Sequence, residues 1–315
     1  MKAVVMKKYG PSDVLEIANL SRPKIKDDQV LIEVYASSVN PVDWKIRKGS
    51  LKLFMRKKLP CILGGDIAGR IVEVGKKVQF FRIGDEVFGK IDISKNGAYA
   101  EYVACSANHL ALKPQKMTFE EAATLPLAGL TALQALLKLG KMKKGMNVLV
   151  NGCSGGVGSF AVQLAKAFDC RVTGVCSGRN KRFAEDLGVD IVIDYKSQDI
   201  VSLQEEYDIF FDVVGNQEFS KVKHLVQRAG VFVTTLPSFN ILLLGSVHNL
   251  FASQKMKHIF VQENRADLEL LADFVDAGLL KTHIDKSYDL NDVAEAHQYS
   301  ETGRVVGKLS LIVAE

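Results

Sequence analysis

The sequence lacks the cysteine patterns that mark disulfide frameworks and zinc sites. Its cysteines are odd in number and none stands in a C-x-x-C spacing: Cys61, Cys105, Cys153, Cys170 and Cys176. This pattern argues against a disulfide-stapled secreted domain and against a four-thiolate zinc site. Free thiols are typical of a reducing compartment, so we expect a cytoplasmic protein.

Long hydrophobic runs and a strong charge excess are also missing. The apolar stretch around Ile241–Leu244 is broken by polar residues, and the N-terminal run Ala3–Met6 is too short for a signal peptide. We therefore expect no membrane span. The net charge is only +5, and no basic stripe with interleaved aromatic residues is present. The sequence thus predicts anionic small molecules as partners and no nucleic acid.

The length and composition allow two ordinary globular domains. The chain has 315 residues, of which 47% are hydrophobic and 24% are charged. Its first third contains short β-rich runs separated by Gly, Pro, Asp and Asn: Ala3–Val5, Val30–Val34, Arg70–Val74 and Glu86–Phe88. This texture predicts a mostly antiparallel β domain.

The pattern becomes helical near residue 118 and then alternates. Thr118 and Glu121 fit a capping box, Pro126 interrupts the helix, and helical spacing resumes over Leu130–Leu139. From Met146 onwards, predicted strands and helices alternate, and this requires crossovers and a parallel sheet. Strands are predicted at Asn147–Val150, Arg171–Val175, Asp190–Ile193, Asp208–Val214, Val231–Thr235 and Ile259–Val261. Helices are predicted at Val157–Phe168, at Lys181–Leu187 and around Leu268–Val275, and a last strand is predicted at Leu309–Val313.

A glycine-rich loop lies between the first of these strands and its helix. Residues 151–158 read Asn-Gly-Cys-Ser-Gly-Gly-Val-Gly. Glycines let the backbone approach a pyrophosphate, and free N–H groups at a helix N-terminus attract its oxygens. Cys153 occupies the place of the first glycine of the G-x-G-x-x-G motif, and a purely structural turn is the alternative. We predict dinucleotide contacts at Ser154, Gly155, Gly156, Val157 and Gly158.

The end of the second strand of the alternating region predicts which coenzyme binds. Residues 175–182 contain no Asp or Glu, although NAD sites place a carboxylate there for the ribose hydroxyls. Ser177, Arg179 and Lys181 supply a hydroxyl and cations, which suit a 2′-phosphate. The sequence therefore favours NADPH, the alternative being a solvated basic start of a helix.

A series of ordered motifs resembles the zinc-independent quinone oxidoreductase branch of the medium-chain dehydrogenase/reductase superfamily. The resemblance covers essentially the whole chain and rests on residues 38–45, 64–69, 72–75, 84–89, 97–102, 125–132 and 303–308. Residues 40–45, 178–180 and 194–196 most resemble chloroplast-envelope quinone oxidoreductase homologues and alkenal reductases, which reduce carbon–carbon double bonds conjugated to a carbonyl.

The resemblance implies an α/β fold of two domains and a homodimer. A GroES-like, mainly β substrate domain would comprise residues 1–117 and 263–315, and a Rossmann domain with a doubly wound parallel sheet would comprise 118–262. A cleft between them would hold nicotinamide and substrate. The resemblance also implies cofactor contacts from Thr131, Tyr195, Asn264 and Lys308. Asn264 could equally be a helix N-cap, and Tyr195 could simply pack at a strand end.

No metal ligand stands where zinc-dependent relatives of this superfamily bind zinc. The corresponding stretches, Val39–Asp43 and Gly64–Asp66, supply neither thiolate nor imidazole. We therefore expect no metal, and we interpret Asp66 as a turn residue.

The candidate catalytic residues follow the family signature. Asn40 could contact nicotinamide or substrate, or simply form an Asn-Pro turn. Asp43 would orient its neighbours. Lys45 could donate to an enolate oxygen, or be an exposed lysine in a basic stretch. The predicted activity is NADPH-dependent reduction of enones or alkenals, small-molecule electrophiles. The alternatives are a quinone reductase on the same site and a non-catalytic NADPH-binding protein.

Overall fold

The computed structural model describes residues 1–53, 57–92, 97–236 and 252–314. Their contacts divide the chain into two units. Unit 1 consists of Met1–Leu127, Glu263–Gly278 and Thr282–Glu315, and unit 2 of Ala128–Gln262 and Leu279–Lys281. The sequence-based domain ranges place residues 118–127 in the Rossmann domain, but in the structure they belong to unit 1. Residues 279–281 were placed in the GroES-like domain and belong to unit 2.

The strands, numbered in chain order, are as follows: β1 Lys2–Met6, β2 Leu15–Asn19, β3 Gln29–Val39, β4 Cys61–Ile62, β5 Asp66–Val74, β6 Glu86–Lys90, β7 Tyr102–Ser106, β8 Leu110–Leu112, β9 Asn147–Asn151, β10 Arg171–Cys176, β11 Ile191–Asp194, β12 Tyr207–Asp212, β13 Val226–Thr234, β14 Lys255–His258, β15 Ile284–Asp289 and β16 Lys308–Ile312.

The helices are α1 Pro41–Lys48, α2 Phe119–Thr124, α3 Pro126–Leu133, α4 Gly156–Ala167, α5 Lys181–Asp186, α6 Phe219–Val222, α7 Arg265–Asp276 and α8 Val293–Glu301, with a π-helical segment at Gln134–Leu139. Short 3₁₀ turns lie at Ser12–Val14, Ala107–His109, Gly178–Asn180, Ile200–Ser202, Lys223–Leu225 and Leu290–Asp292. The predicted capping box is confirmed, because Glu121 N donates to Thr118 Oγ1 and Thr118 N donates to Glu121 Oε2. Pro126 begins α3, where its missing N–H costs nothing.

Unit 1 is built on antiparallel strands from both ends of the chain. Its seven-stranded sheet has the order β15-β16-β3-β5-β6-β8, with β7 also paired to β3, and a smaller sheet has the order β2-β1-β4. All pairs are antiparallel except β15 with β16. On β3, alternate residues Val30, Ile32 and Val34 are buried in one core cluster, as the two-residue period of a strand requires.

Unit 2 contains a six-stranded sheet in the order β11-β10-β9-β12-β13-β14, in which every pair is parallel. This is the strand order of a doubly wound Rossmann sheet, and it reverses between β9 and β12. Leu149, Phe210 and Phe232 from three of its strands share one core cluster. The chain therefore has the predicted α/β fold, with a GroES-like sheet region and a Rossmann-like sheet.

One predicted strand is misplaced. The sixth parallel strand is Lys255–His258, and the prediction of Ile259–Val261 is wrong. β14 lies at the sheet edge and its residues are all partly exposed, so it carries no apolar run that a sequence pattern could reveal. The apolar segment 236–251, whose role the sequence left open, lies outside the described residues except for Leu236. Within the described ranges, no helix is long and apolar enough to cross a membrane.

Candidate functional site

Asn40 joins three polar side chains in the interior of unit 1. It follows β3 and precedes α1, and it is 3% exposed. Its side-chain amide donates to Asp66 Oδ2 over 2.8 Å and to Ser38 Oγ over 3.2 Å, and its Oδ1 accepts from Lys308 Nζ. Two residues that the sequence selected, 268 positions apart, are thus in direct contact.

Asp66 is the anionic centre of this cluster. It begins β5, is fully buried, and accepts from Ser38 Oγ at 2.7 Å and from Leu127 N at 2.9 Å, in addition to Asn40. The Lys308 ammonium lies 3.8 Å from its Oδ2. The interpretation of Asp66 as a turn residue is wrong. Its carboxylate instead compensates the buried ammonium of Lys308. Burial lowers the pKa of Lys308, and the negative charges of Asp66 and Asp43 oppose this shift.

Asp43 lies at the third position of α1 and points back to the start of the helix. Its Oδ2 accepts from Asn40 N at 2.8 Å and from the Tyr99 hydroxyl at 3.2 Å. Burial raises the pKa of Asp43 from 3.8 to about 7, although the Asn40 hydrogen bond and Lys308 oppose the shift. This carboxyl can therefore hold a proton near neutral pH, and it orients Asn40 through the backbone.

A tyrosine and a histidine extend the cluster beyond Asp43. The Tyr99 hydroxyl lies 3.2 Å from His297 Nε2, and both residues are fully buried. Burial, with a smaller effect of Arg47, lowers the pKa of His297 to about 3. Among the described residues, His297 Nδ1 and Arg47 Nε and Nη1 have no hydrogen-bond partner. Sequence reasoning missed this part of the cluster, because Tyr99 and His297 are 198 residues apart.

Lys45 lies on α1 without joining the cluster. Its side chain is partly buried, its ammonium is 5.6 Å from the centre of the Trp44 ring, and burial lowers its pKa. In the described part of the chain, its ammonium has no hydrogen bond or ion pair. Trp44 is itself fixed, since its indole N–H donates to Ser300 Oγ at 3.2 Å. Lys45 therefore has donors that no described residue occupies, on a helix whose start is anchored by Asn40 and Asp43.

In unit 2, the glycine loop connects β9 to α4, and Gly155 is the N-cap of that helix. A Cβ on Gly158 would lie 2.0 Å from Gly152 O, so only glycine allows this loop to pack on itself. A Cβ on Gly155 would meet nothing closer than 3.7 Å. The protein therefore leaves space at Gly155, beside free N–H groups at the N-terminus of α4, and this geometry fits a pyrophosphate.

Polar side chains fix the loop from both sides. Ser154 Oγ accepts from Asn180 Nδ2 at 3.0 Å, which ties the loop to the turn after β10. Asn151 Nδ2 donates to Asp212 Oδ1 and Asn216 Oδ1 at 2.8 and 2.9 Å, which ties the ends of β9 and β12 together. This second network lies where the strand order reverses, the usual place for a ligand in such sheets. Sequence reasoning did not select Asn151 or Asp212.

The end of β10 carries the residues predicted to bind a 2′-phosphate. Ser177 is buried, whereas Arg179 and Lys181 are exposed, and Tyr195 is 58% exposed. A carboxylate that the sequence reasoning missed also borders this turn, because a Cβ on Gly178 would lie 2.4 Å from Asp194 Oδ2. Asp194 Oδ1 accepts from Lys196 N at 3.0 Å.

The remaining predicted cofactor contacts are buried or structural. Thr131 is 6% exposed on α3. Asn264 is the N-cap of α7, where its Oδ1 accepts from Asp267 N at 2.9 Å. A cofactor contact at either residue stays a prediction. Within the described ranges, no group of three or more His, Cys, Asp or Glu side chains could hold a metal ion.

Comparison with known proteins places these sites in a family context. Residues 26–115 match the alcohol dehydrogenase GroES-like domain, and residues 187–311 match a family described as zinc-binding dehydrogenase. The chain is 35% identical to the chloroplast envelope quinone oxidoreductase homolog of Arabidopsis thaliana, over 98% of this chain and 97% of that protein. The chain belongs to the medium-chain dehydrogenase/reductase superfamily.

Other members of the superfamily agree in sequence and in fold. The chloroplastic NADPH-dependent alkenal/one oxidoreductase of Arabidopsis thaliana is 34% identical over 98% of this chain and 78% of its own length. The quinone oxidoreductase of Coxiella burnetii has a TM-score of 0.90 and 34% identity over 100% of this chain and 99% of that one. The Escherichia coli quinone oxidoreductase complexed with NADPH has a TM-score of 0.87 and 25% identity over 99% and 100%. The chain is thus an oxidoreductase family member of the type that binds a nicotinamide cofactor.

Proposed function

We propose that this protein is an NADPH-dependent oxidoreductase that reduces the carbon–carbon double bond of α,β-unsaturated carbonyls without a metal ion. The observation that carries the proposal is Lys45. Its ammonium is partly desolvated and has no hydrogen bond or ion pair among the described residues, on the helix that Asn40 and Asp43 anchor. Such a donor stabilises negative charge that develops on a substrate oxygen.

The chemistry needs little beyond a donor and a proton. NADPH, when bound, supplies a hydride for the β-carbon of the substrate. The electron pair of the double bond then moves toward the carbonyl, which becomes an enolate, and Lys45 donates a hydrogen bond to the enolate oxygen. A proton added at the α-carbon completes the saturated carbonyl product. A quinone could accept hydride in much the same manner.

The coenzyme contacts divide into three groups in this proposal. Residues 154–158 hold the pyrophosphate through backbone N–H groups. The hydroxyls and cations of Ser177, Arg179, Lys181 and Tyr195 hold the 2′-phosphate. The nicotinamide end is contacted by Asn40, Thr131, Asn264 and Lys308. An NADPH-dependent relative and a neighbouring structure complexed with NADPH support this choice of coenzyme.

The ligand chemistry at Asp66 supports a metal-free reaction. Three donors, from Ser38, Asn40 and Leu127, already occupy its carboxylate oxygens. The nearby Lys308 supplies the positive charge that a metal ion would otherwise bring. A Zn²⁺ site needs thiolate, imidazole or further carboxylate ligands, and the side chains that contact the Asp66 carboxylate directly are a hydroxyl, an amide and an ammonium.

Steady-state oxidation of NADPH tests the proposal. We expect turnover of short and long enones, and a naphthoquinone serves to rank the rival quinone reductase. Lys45→Met should lower kcat for enones by about 100-fold, because one donor to the developing oxyanion is lost, whereas Lys45→Arg should retain most activity. Inactivity on every enone with turnover of the quinone would establish the rival reaction. Coenzyme binding without turnover of any electrophile would establish a non-catalytic NADPH-binding protein.

A cytoplasmic homodimer completes the proposal. The five cysteines are free thiols, as expected for a reducing compartment. Sedimentation of the purified protein at micromolar concentration should give the mass of two chains.

A further inference from the structure

A cavity of about 520 Å³ in unit 1 is lined by positive charge. The described residues that line it are Tyr9, Lys52, Lys57, Lys58 and Leu59. Among these described residues, three are lysines and none is acidic. Its volume lies in the range of small-molecule sites. None of these residues belongs to the buried cluster around Asn40 or to the proposed coenzyme contacts.

Lys57 is the unusual member of this lining, because it is only 6% exposed. Its position is fixed, since its backbone N–H donates to the Tyr9 hydroxyl at 3.0 Å. Among the described residues, its ammonium has no hydrogen bond and no ion pair. Burial lowers its pKa, and Cys61, Asp92 and Asp43 oppose that shift only through space.

A buried ammonium with no hydrogen bond or ion pair among the described residues is costly, because it has lost water and the carboxylates of Asp43 and Asp92 act on it only from a distance. Two further lysines, Lys52 and Lys58, add positive charge at the same cavity. An anion in the cavity would remove this imbalance and gain charge-assisted hydrogen bonds.

We propose that this cavity binds a carboxylate or phosphate group of a small molecule, with Lys57 as its central contact and Lys52 and Lys58 at its rim. Tyr9 is a positioning residue, because it holds the backbone of Lys57. The anionic group belongs either to the substrate or to a separate anion, and the two sources are separable by experiment.

The first experiment uses inorganic phosphate as the probe. Calorimetry is performed on protein saturated with NADP⁺, so that sites for the phosphates of the coenzyme are filled. We expect phosphate to bind the wild type, and Lys57→Met to weaken this binding by at least about tenfold, the loss of one charge-assisted hydrogen bond. The matched control is Lys76→Met, which removes an exposed lysine away from the cavity and should leave phosphate binding unchanged.

The second experiment compares a short enone that carries a carboxylate with its methyl ester, and this arm rests on the proposed function. If the anion is part of the substrate, Lys57→Met should raise KM for the acid by at least about tenfold and leave KM for the ester unchanged. If the anion is separate, phosphate binding should fall while both KM values stay the same. The proposal is overturned if wild type and Lys57→Met bind phosphate equally and have the same ratio of KM for the acid to KM for the ester. It is also overturned if neither protein binds phosphate and this KM ratio is the same in both.

Unfolding of the Lys57 variants can be distinguished from a specific loss of phosphate binding. Lys57→Met removes a buried charge that no described residue pairs with, so its Tm without added anion should be no lower than that of the wild type. Lys57→Gln provides a second uncharged variant, and it should show the same loss of phosphate binding. If either uncharged variant bound phosphate as tightly as the wild type, the assignment of Lys57 would be wrong.

Discussion

The Tyr99 hydroxyl contacts Asp43 on one side and His297 on the other, and burial moves the two pKa values in opposite directions. The pKa of Asp43 rises to about 7 and that of His297 falls to about 3. Between about pH 4 and 6.5, the folded protein holds a proton on Asp43 and none on His297. The unfolded chain does the reverse. The two contributions to the pH dependence of stability therefore cancel in this range.

Removal of the histidine should expose the contribution of Asp43. In His297→Gln, the stability that protonated Asp43 contributes is complete below about pH 4 and is lost as the pH rises through about 7. The free energy of unfolding should therefore fall, relative to the wild type, by about 1.4 kcal/mol per pH unit over this range. Urea unfolding at several pH values measures the slope. A flat curve for His297→Gln would show that Asp43 ionises normally, and parallel curves for variant and wild type would show the same of His297.

The opposite slope should appear in Asp43→Asn. An asparagine oxygen can still accept from Asn40 N and Tyr99 OH, so the contacts of the helix start are preserved. The remaining His297 is neutral in the folded protein and charged in the unfolded chain below about pH 6.5. Stability is then present above pH 6.5 and is lost as the pH falls toward about 3. The same urea series measures it, with the double variant as a control that should follow neither slope.

At the scale of elements, the glycine loop contains two glycines with different tasks. Gly155→Ala should fold with wild-type stability, because its Cβ meets only ordinary contacts, yet it should weaken NADPH binding by crowding the pyrophosphate. Gly158→Ala should instead lower the free energy of unfolding by about 1–3 kcal/mol, since its Cβ would overlap Gly152 O. Thermal unfolding and coenzyme titration of both variants test this division. Unchanged NADPH affinity in Gly155→Ala would place the pyrophosphate elsewhere.

Helices and strands were predictable from the sequence wherever a short pattern of neighbouring residues defines them. The capping box at Thr118 and the strand–loop–helix unit around residues 147–167 follow from short patterns that the structure reproduces. The position of the edge strand β14 was not predictable, because its residues Lys-Met-Lys-His are all partly exposed and form no apolar run. Asp66, Tyr99 and His297 could not be found from spacing, since side-chain contacts between residues far apart in the sequence bring this cluster together. Asn40 and Lys308 were found only through the family motifs.

At the scale of the whole molecule, the coenzyme should stabilise the fold by mass action. At 100 times its Kd, NADPH should add about 2.7 kcal/mol to the free energy of unfolding. NADH at the same concentration should add less, because it lacks the phosphate that Arg179 and Lys181 are proposed to bind. Thermal shift measurements with both coenzymes test this order, and the double variant Arg179→Ala, Lys181→Ala should remove the difference. Equal shifts in the wild type would contradict the assignment of NADPH.

The position of β16 within its sheet affects how this protein is made. This strand carries Lys308, lies between β15 and β3, and is the last described strand to emerge from the ribosome. Until it is released from the exit tunnel, Asp66 and Asn40 have no cation to enclose, and the hydrogen-bonding edge of β3 that β16 covers remains open. A nascent chain that stops before residue 308 would therefore expose an unpaired strand edge on β3, next to an Asn40–Asp66 cluster that lacks its ammonium. Such a chain is the form on which chaperones and quality-control proteases would act.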